Sequence, residues 1–242
     1  MSMFSTLKTD TNIADEKDSV GGGFVLDSGL YLATVTLAYG TKSEGGALGL
    51  VLQAKTEEGK EIRQTLWMTN KKGENFYEKD GTKNYLPGFM HANSLALLTA
   101  GKELSELATE TKVVNVYSKE AKADVPTKVE ALTDIMGQQI LIGLIKQISD
   151  KTKKNETSGI YEPTGETREE NDIDKFFRAR DRMTTAEIRA QATEATFADQ
   201  WETKWAGQVK NKAKGAGAGG TAGAPKAGAA AGTAKPKQSL FA

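Results

Sequence analysis

A mainly β protein with a helical annex is the fold class the sequence predicts, and three observations carry it. Three segments of period-two hydrophobicity follow one another closely between residues 29 and 69. A segment of helical period with a glycine stop comes next. A strongly apolar extended segment then runs into a basic turn. Alternation marks half-buried strands because successive side chains point to opposite faces of a sheet.

The first strand is expected in GLYLATVTLAYG (29–40), with Tyr31, Ala33, Val35, Leu37 and Tyr39 on one face and Thr34 and Thr36 on the other. After an SEGG turn, ALGLVLQAK (47–55) aligns Leu48, Leu50, Leu52 and Ala54. TEEGKE is a hairpin signal that puts Gly59 at positive φ. In IRQTLWMT (62–69), Ile62, Leu66 and Met68 share one face, and Arg63, Thr65, Trp67 and Thr69 the other. The stretch 70–88 reads as a polar, aromatic-rich loop. A helix follows in 88–107, carrying Phe89, Ala92, Leu95, Ala96, Leu98 and Thr99, with its stop at Gly101. KVVNVYS (112–118) and GQQILIGLIKQIS (137–149) are strands, and DKTKKNETSG (150–159) is a basic hairpin loop. Residues 160–168 form a partner strand, placed at an edge by Pro163.

Residues 169–206 read as helical, with a cap at Thr184 or Thr185 near Glu187 and a stripe of Phe197, Trp201 and Trp205 at i, i+4, i+8 that suits packing on the barrel or on a second subunit. Three strands, a helix and a closing hairpin is the element order of an OB-fold, a five-stranded partly open barrel. The expectation is therefore an OB-fold-like five-stranded antiparallel barrel with C-terminal helices and a disordered tail. A β-sandwich and an unrelated α+β sheet stay open. The chain divides into a flexible arm (1–23), the barrel core (24–168), a helical extension (169–206) and a Gly/Ala/Lys tail (207–242).

Composition narrows the function. Cysteine is absent and His91 is the single histidine, which excludes disulfides, thiolate chemistry and a multi-histidine metal cage. No cofactor is expected. No apolar run approaches a membrane span, and the acid-rich first 20 residues do not read as a secretory leader, so a cytoplasmic protein is expected. Basic and acidic residues balance at 32 each, yet residues 207–242 hold six lysines and no acid. The rest of the chain is correspondingly acidic, which counts against indiscriminate binding of polyanions. No nucleophile elbow or phosphate loop is found, so an enzyme is not expected, although a carboxylate-based nuclease stays open.

The binding signal is an interleaving of rings and cations. Non-specific single-strand binders stack bases on aromatic side chains and hold phosphates with Lys and Arg. Arg63 and Trp67 share the outward face of the third strand, and the following loop supplies Lys71, Lys72, Phe76, Tyr77, Lys79, Lys83 and Tyr85. A second basic cluster is Lys146 with Lys151, Lys153 and Lys154. The competing readings are a Trp67 covered by the loop, aromatics that only pin that loop, and solvated lysines.

Residues 24–206 resemble phage-encoded single-stranded DNA-binding proteins of the OB-fold type. The resemblance lies in GLYLATVTLAYGTKSEGGALGLVLQAKTEEGKEIRQTLWMTNKKGENFY, LPGFMHANSLALLTAGKEL, NDIDKFF and WETKW. It implies binding of single-stranded DNA during phage replication, recombination and repair, without catalysis, in the host-cell cytoplasm, as a monomer or homodimer. It also implies a tether ending in a docking tip for replication or recombination proteins, here Ser239, Leu240 and Phe241. The tether, about 30 residues long, has a coil span of roughly 30 Å. The familiar tip is acidic, whereas this one, KPKQSLFA, is basic. An interaction or assembly scaffold with a tethered peptide and no nucleic-acid binding is the alternative.

Overall fold

The computed structural model describes residues 25–214 apart from 119, 156, 158 and 160, so the N-terminal arm, most of the tail and the Ser239, Leu240 and Phe241 tip lie outside the described residues. The described chain forms two units, 25–148 with 169–211, and 149–168 with 212–214. The protein is mainly β. An eight-stranded sheet has the path β10-β8-β1-β2-β3, and β7 pairs with β1 and β6 while β9 pairs with β8. Its strands are β1 (Gly29–Lys42), β2 (Leu48–Thr56), β3 (Glu61–Trp67), β6 (Thr109–Ser118), β7 (Ala123–Leu132), β8 (Gln139–Lys154), β9 (Tyr161–Arg178) and β10 (Val209–Asn211). A separate two-stranded sheet pairs β4 (Phe76–Lys79) with β5 (Thr82–Tyr85). The helices are α1 (Pro87–Ala100), α2 (Thr185–Arg189) and α3 (Phe197–Trp205).

The expected meander is present: β1–β2 and β2–β3 are antiparallel, and Gly59 turns between β2 and β3 at φ 80°. The face assignment within β1 needs correction. Its register on β2 slips between Val35 and Leu37, leaving Thr36 as the extra residue of a bulge, with the Thr36 hydroxyl donating to the Gln53 carbonyl at 3.1 Å. A bulge adds one residue to one strand and reverses its parity. Ala33, Val35 and Ala38 therefore enter the main core with Leu50, Leu52, Ala54, Ile62 and Leu66, whereas Leu37 and Tyr39 turn to the opposite face. There they meet Val51, Val129 and Ala131 beneath the β6–β7 hairpin. Leu48, expected inward, is exposed.

Helix α1 buries Ala92, Leu95, Ala96 and Leu98 in the main core. It stops where the sequence predicts, with Gly101 left-handed at φ 70°. Residues 169–178 are strand, not helix. They extend β9, sending Ile173 and Phe176 into the main core and Phe177 toward Ile145, Ala198 and Trp201. Burial against both sides gives the segment an apolar spacing that reads as helical in sequence. Of the aromatic stripe, Trp201 packs in cis: it is buried, its indole donates to Asp174 at 2.8 Å, and its ring lies against Gly143, where a Cβ would come within 3.0 Å, whereas Phe197 is exposed.

No backbone ladder joins β3 to β9 among the described residues, so the sheet is not closed. A side chain spans the gap. Gln64 of β3 accepts from the Ile173 backbone N–H at 2.7 Å and donates to Asp172 at 3.1 Å.

Candidate nucleic-acid interface

Trp67 ends β3 on the outward face with Arg63, as strand parity requires, and is 46% exposed. Its cross-strand partner is Gly49, and the absence of a side chain there lets the indole lie against the sheet. A Cβ on Gly49 would sit 2.9 Å from Trp67 Cε3. The backbone of Trp67 is equally confined, since a Cβ on Gly88, in the first turn of α1, would fall 2.1 Å from its carbonyl oxygen. Beyond it, the Leu48 carbonyl accepts from both Met68 and Thr69 N–H groups, and the Thr69 hydroxyl accepts from Leu48 N–H at 2.8 Å. The ring is thus presented by a fixed end of sheet.

Asn70 then folds the chain back on itself. Its side-chain oxygen accepts from the N–H groups of Lys72 and Glu74, and its amide donates to the Glu74 carboxylate at 2.8 Å. This turn holds Lys71 and Lys72 at an exposed tip. The Lys71 stem crosses the β1–β2 loop at Gly45, where a Cβ would lie 3.2 Å from its Cε, so Trp67 and Lys71 are both anchored on that loop and its strand.

Residues 76–85, expected as loop, form the β4–β5 hairpin, turned through Asp80 and Gly81 at φ 51° and 73°. Directly opposed residues share a face, so the hairpin divides the predicted cluster. Phe76, Lys83 and Tyr85 stand on one face with Glu78, and Tyr77 and Lys79 on the other. On the first face the Lys83 ammonium lies 4.7 Å from the Phe76 ring centroid, and Tyr85 packs on Phe89 of α1 at 5.1 Å. Tyr77 and Tyr85 are both exposed. Residues 63–89 carry five cations, Arg63, Lys71, Lys72, Lys79 and Lys83, against Glu74, Glu78 and Asp80, an excess of positive charge in an otherwise acidic core.

The second predicted cluster is arranged differently. Lys146 is 19% exposed at its side chain and lies 3.1 Å from Glu169 and 3.7 Å from Asp27, with the Glu169 hydrogen bond raising its pKa above the ordinary value. Its charge is matched within the protein. In the smaller unit, Lys151 pairs with Glu166 at 2.9 Å, and exposed Lys153 and Lys154 line a shallow groove with Asn155, Glu162, Pro163 and Thr164.

Ring–cation pairs also occur where sequence periodicity indicated packing alone. Lys204 and Lys210 both lie over Trp205, and Lys175 lies over Phe197. A sequence signal existed only at Trp205, which has Lys204 beside it, because Lys175 is remote in sequence from Phe197. His91 is half-buried against Phe176, edge to face at 6.3 Å, in a packing role. Among the described residues no group of three or more His, Cys, Asp or Glu side chains is placed to hold a metal ion, and no helix is long and apolar enough to cross a membrane. Comparison with protein-family models finds no match, and comparison with curated proteins finds none either.

Proposed function

We propose that this chain is a sequence-independent single-stranded DNA-binding protein of the OB-fold type, which protects exposed strands during phage DNA replication, recombination and repair without catalysis. The observation that carries the reading is the exposed Trp67 indole, packed over Gly49 on the face of β3 that also carries Arg63 and followed by the exposed Lys71–Lys72 turn, three cations with no carboxylate partner among the described residues. A base stacks on the ring and its phosphates meet the cations, and the β4–β5 hairpin offers one further exposed ring on each face, Tyr85 on one and Tyr77 on the other. The β9-β8-β1-β2-β3 order, with α1 after β3 and Gln64 bridging β3 to β9, supports an OB barrel whose last seam is made by a side chain. Within this reading the Ser239–Phe241 tip docks replication or recombination proteins, and the site of action is the host-cell cytoplasm. Lys146 takes no part, because Glu169 and Asp27 already neutralise it.

The test is titration of Trp fluorescence with a long oligo-dT at two salt concentrations. Quenching, with affinity falling steeply as salt rises, is expected. Trp67→Ala removes a stacking ring worth about 1–3 kcal/mol, a roughly fivefold to 150-fold loss of affinity. No binding at low salt refutes the proposal, and full affinity in both Trp67→Ala and Lys71→Glu/Lys72→Glu removes this site from it. An assembly scaffold is the second reading. It is favoured by the outer face of the β6–β7 hairpin, where Val113 is 64% and Tyr117 57% exposed. Partner capture that survives complete loss of DNA affinity would support it.

A further inference from the structure

Three aromatic–cation contacts gather on α3 and the strands beside it, away from β3. The Lys204 ammonium lies 5.0 Å and the Lys210 ammonium 5.5 Å from the centroid of Trp205. Lys175, on β9, lies 5.4 Å from the Phe197 ring at the other end of the helix. The two rings are eight residues apart, about 12 Å along a helix axis.

The arrangement is built rather than incidental. Lys204 sits on the last turn of α3 and Lys210 on β10, and the turn between them is fixed. The Ser28 carbonyl accepts from Gly207 N–H at 2.9 Å, the Ser28 hydroxyl donates to the Gln208 carbonyl, and that same hydroxyl accepts from Lys146 N–H at 2.7 Å. Ser28 is buried, so the two lysine-bearing arms converge on one ring from a rigid base. The parallel pairing of β10 on β8, Val209 with Lys146 through Asn211 with Ile148, holds the second arm. The acids of α3 are occupied elsewhere: Arg182 binds Asp199 at 3.0 Å and Glu202 at 2.8 Å. Asp174 is bound to the buried Trp201 indole. Lys175, Lys204 and Lys210 have no carboxylate partner among the described residues; Lys204 is exposed, and Lys175 and Lys210 are half-buried beside the two rings.

We propose that this face of α3 is a second contact for a single-stranded nucleic acid, with Trp205 and Phe197 as stacking rings and Lys204, Lys210 and Lys175 as phosphate ligands. An ammonium over a ring is exchanged for a base over the ring and a phosphate on the ammonium, which preserves both the stacking and the charge pairing. The inference rests on the function proposed above. It makes the protein a two-contact binder, in which a strand longer than one contact engages both.

The experiment compares the full chain with Lys204→Glu/Lys210→Glu on two oligo-dT lengths. One is about 8 nucleotides, inside the 4–16 nucleotide footprint of a single OB module, and the other about 40. The double variant is expected to bind the short strand as the unaltered chain does. On the long strand it should lose affinity, and its salt slope should be shallower by about 1.4 for two lost phosphate contacts. Lys204→Arg/Lys210→Arg should restore both values, and an unchanged unfolding midpoint excludes misfolding. Long-strand affinity and slope unchanged, with Trp67→Ala still weakening binding, overturns this inference and leaves the main reading standing. Failure of the unaltered chain to bind either length overturns both. If the double variant loses poly-glutamate binding while keeping its oligo-dT affinity, the face belongs to an acidic peptide and the inference falls.

Discussion

Replacing Gln64 with Ala tests the seam between β3 and β9. In the native protein the Gln64 amide gives the Ile173 N–H its acceptor at 2.7 Å and donates to Asp172 at 3.1 Å. Ile173 is 1% exposed, so its backbone donor loses its partner at a place water does not reach. An orphaned buried donor costs about 1–3 kcal/mol, and a hydrogen bond to a charged acceptor contributes about 1.5–3 kcal/mol, toward the low end for a half-buried pair. The expected loss is about 2–4 kcal/mol. Chemical denaturation of the full chain measures it, and hydrogen exchange at the Ile173 amide localises it. Gln64→Glu separates the two bonds. A carboxylate still accepts from Ile173 but faces Asp172 with like charge. That variant should be weaker than native at neutral pH and recover as acid protonates the new pair. A loss below about 0.5 kcal/mol in Gln64→Ala, with Ile173 protection unchanged, would refute the argument that this side chain holds the seam.

Three further outcomes follow from named contacts. Gly88→Ala forces a methyl to within 2.1 Å of the Trp67 carbonyl, and because the obstacle is backbone the cost should reach or exceed the upper end of 1–3 kcal/mol, read as a lowered thermal midpoint with shifted Trp emission. Glu187 accepts from Thr184 N–H at 2.9 Å, Thr196 N–H at 2.8 Å and Phe197 N–H at 2.9 Å, capping α2 and the start of α3 together, so Glu187→Ala should destabilise by about 2–4 kcal/mol and expose Trp201 to quenchers. Burial holds the His91 imidazole below its ordinary value of 6.5, against the opposing pull of Asp174 and Asp172. The unfolded chain therefore takes up the proton first. The His91 contribution is complete above about 6.5 and is lost as pH falls toward the depressed folded value, and His91→Leu should flatten that part of the stability profile.

Elements with one buried face were legible. The meander, the Gly101 stop of α1 and the packing of Trp201 all follow from period and caps. The β4–β5 hairpin was hidden because both of its faces are polar and aromatic, although Asp80–Gly81 carried the turn signal. Pro126 masked β7, which tolerates it opposite Asn115. The end of β9 reads as helical in the sequence because Ile173, Phe176 and Phe177 are buried in two different clusters, and no single-face period describes such a strand. Trp67 was placed outward by parity alone, but Gly49 and Gly88, which fix its position, become meaningful only once the cross-strand and helix contacts are known.

Beyond the Thr36 bulge β1 serves two interiors at once, with Ala38 still in the main core. Up to Val35 its inward residues share a fate with β8; beyond Thr36, Leu37 and Tyr39 answer to the β6–β7 hairpin. Deleting that one threonine would straighten the ladder, with Val35 and Leu37 opposing Ala54 and Gln53 in succession, and would leave every later residue facing as it does now. A library of single-residue deletions along β1 should therefore show Thr36 as its most tolerated position, while a deletion on either side of it shifts parity and costs core or hairpin packing.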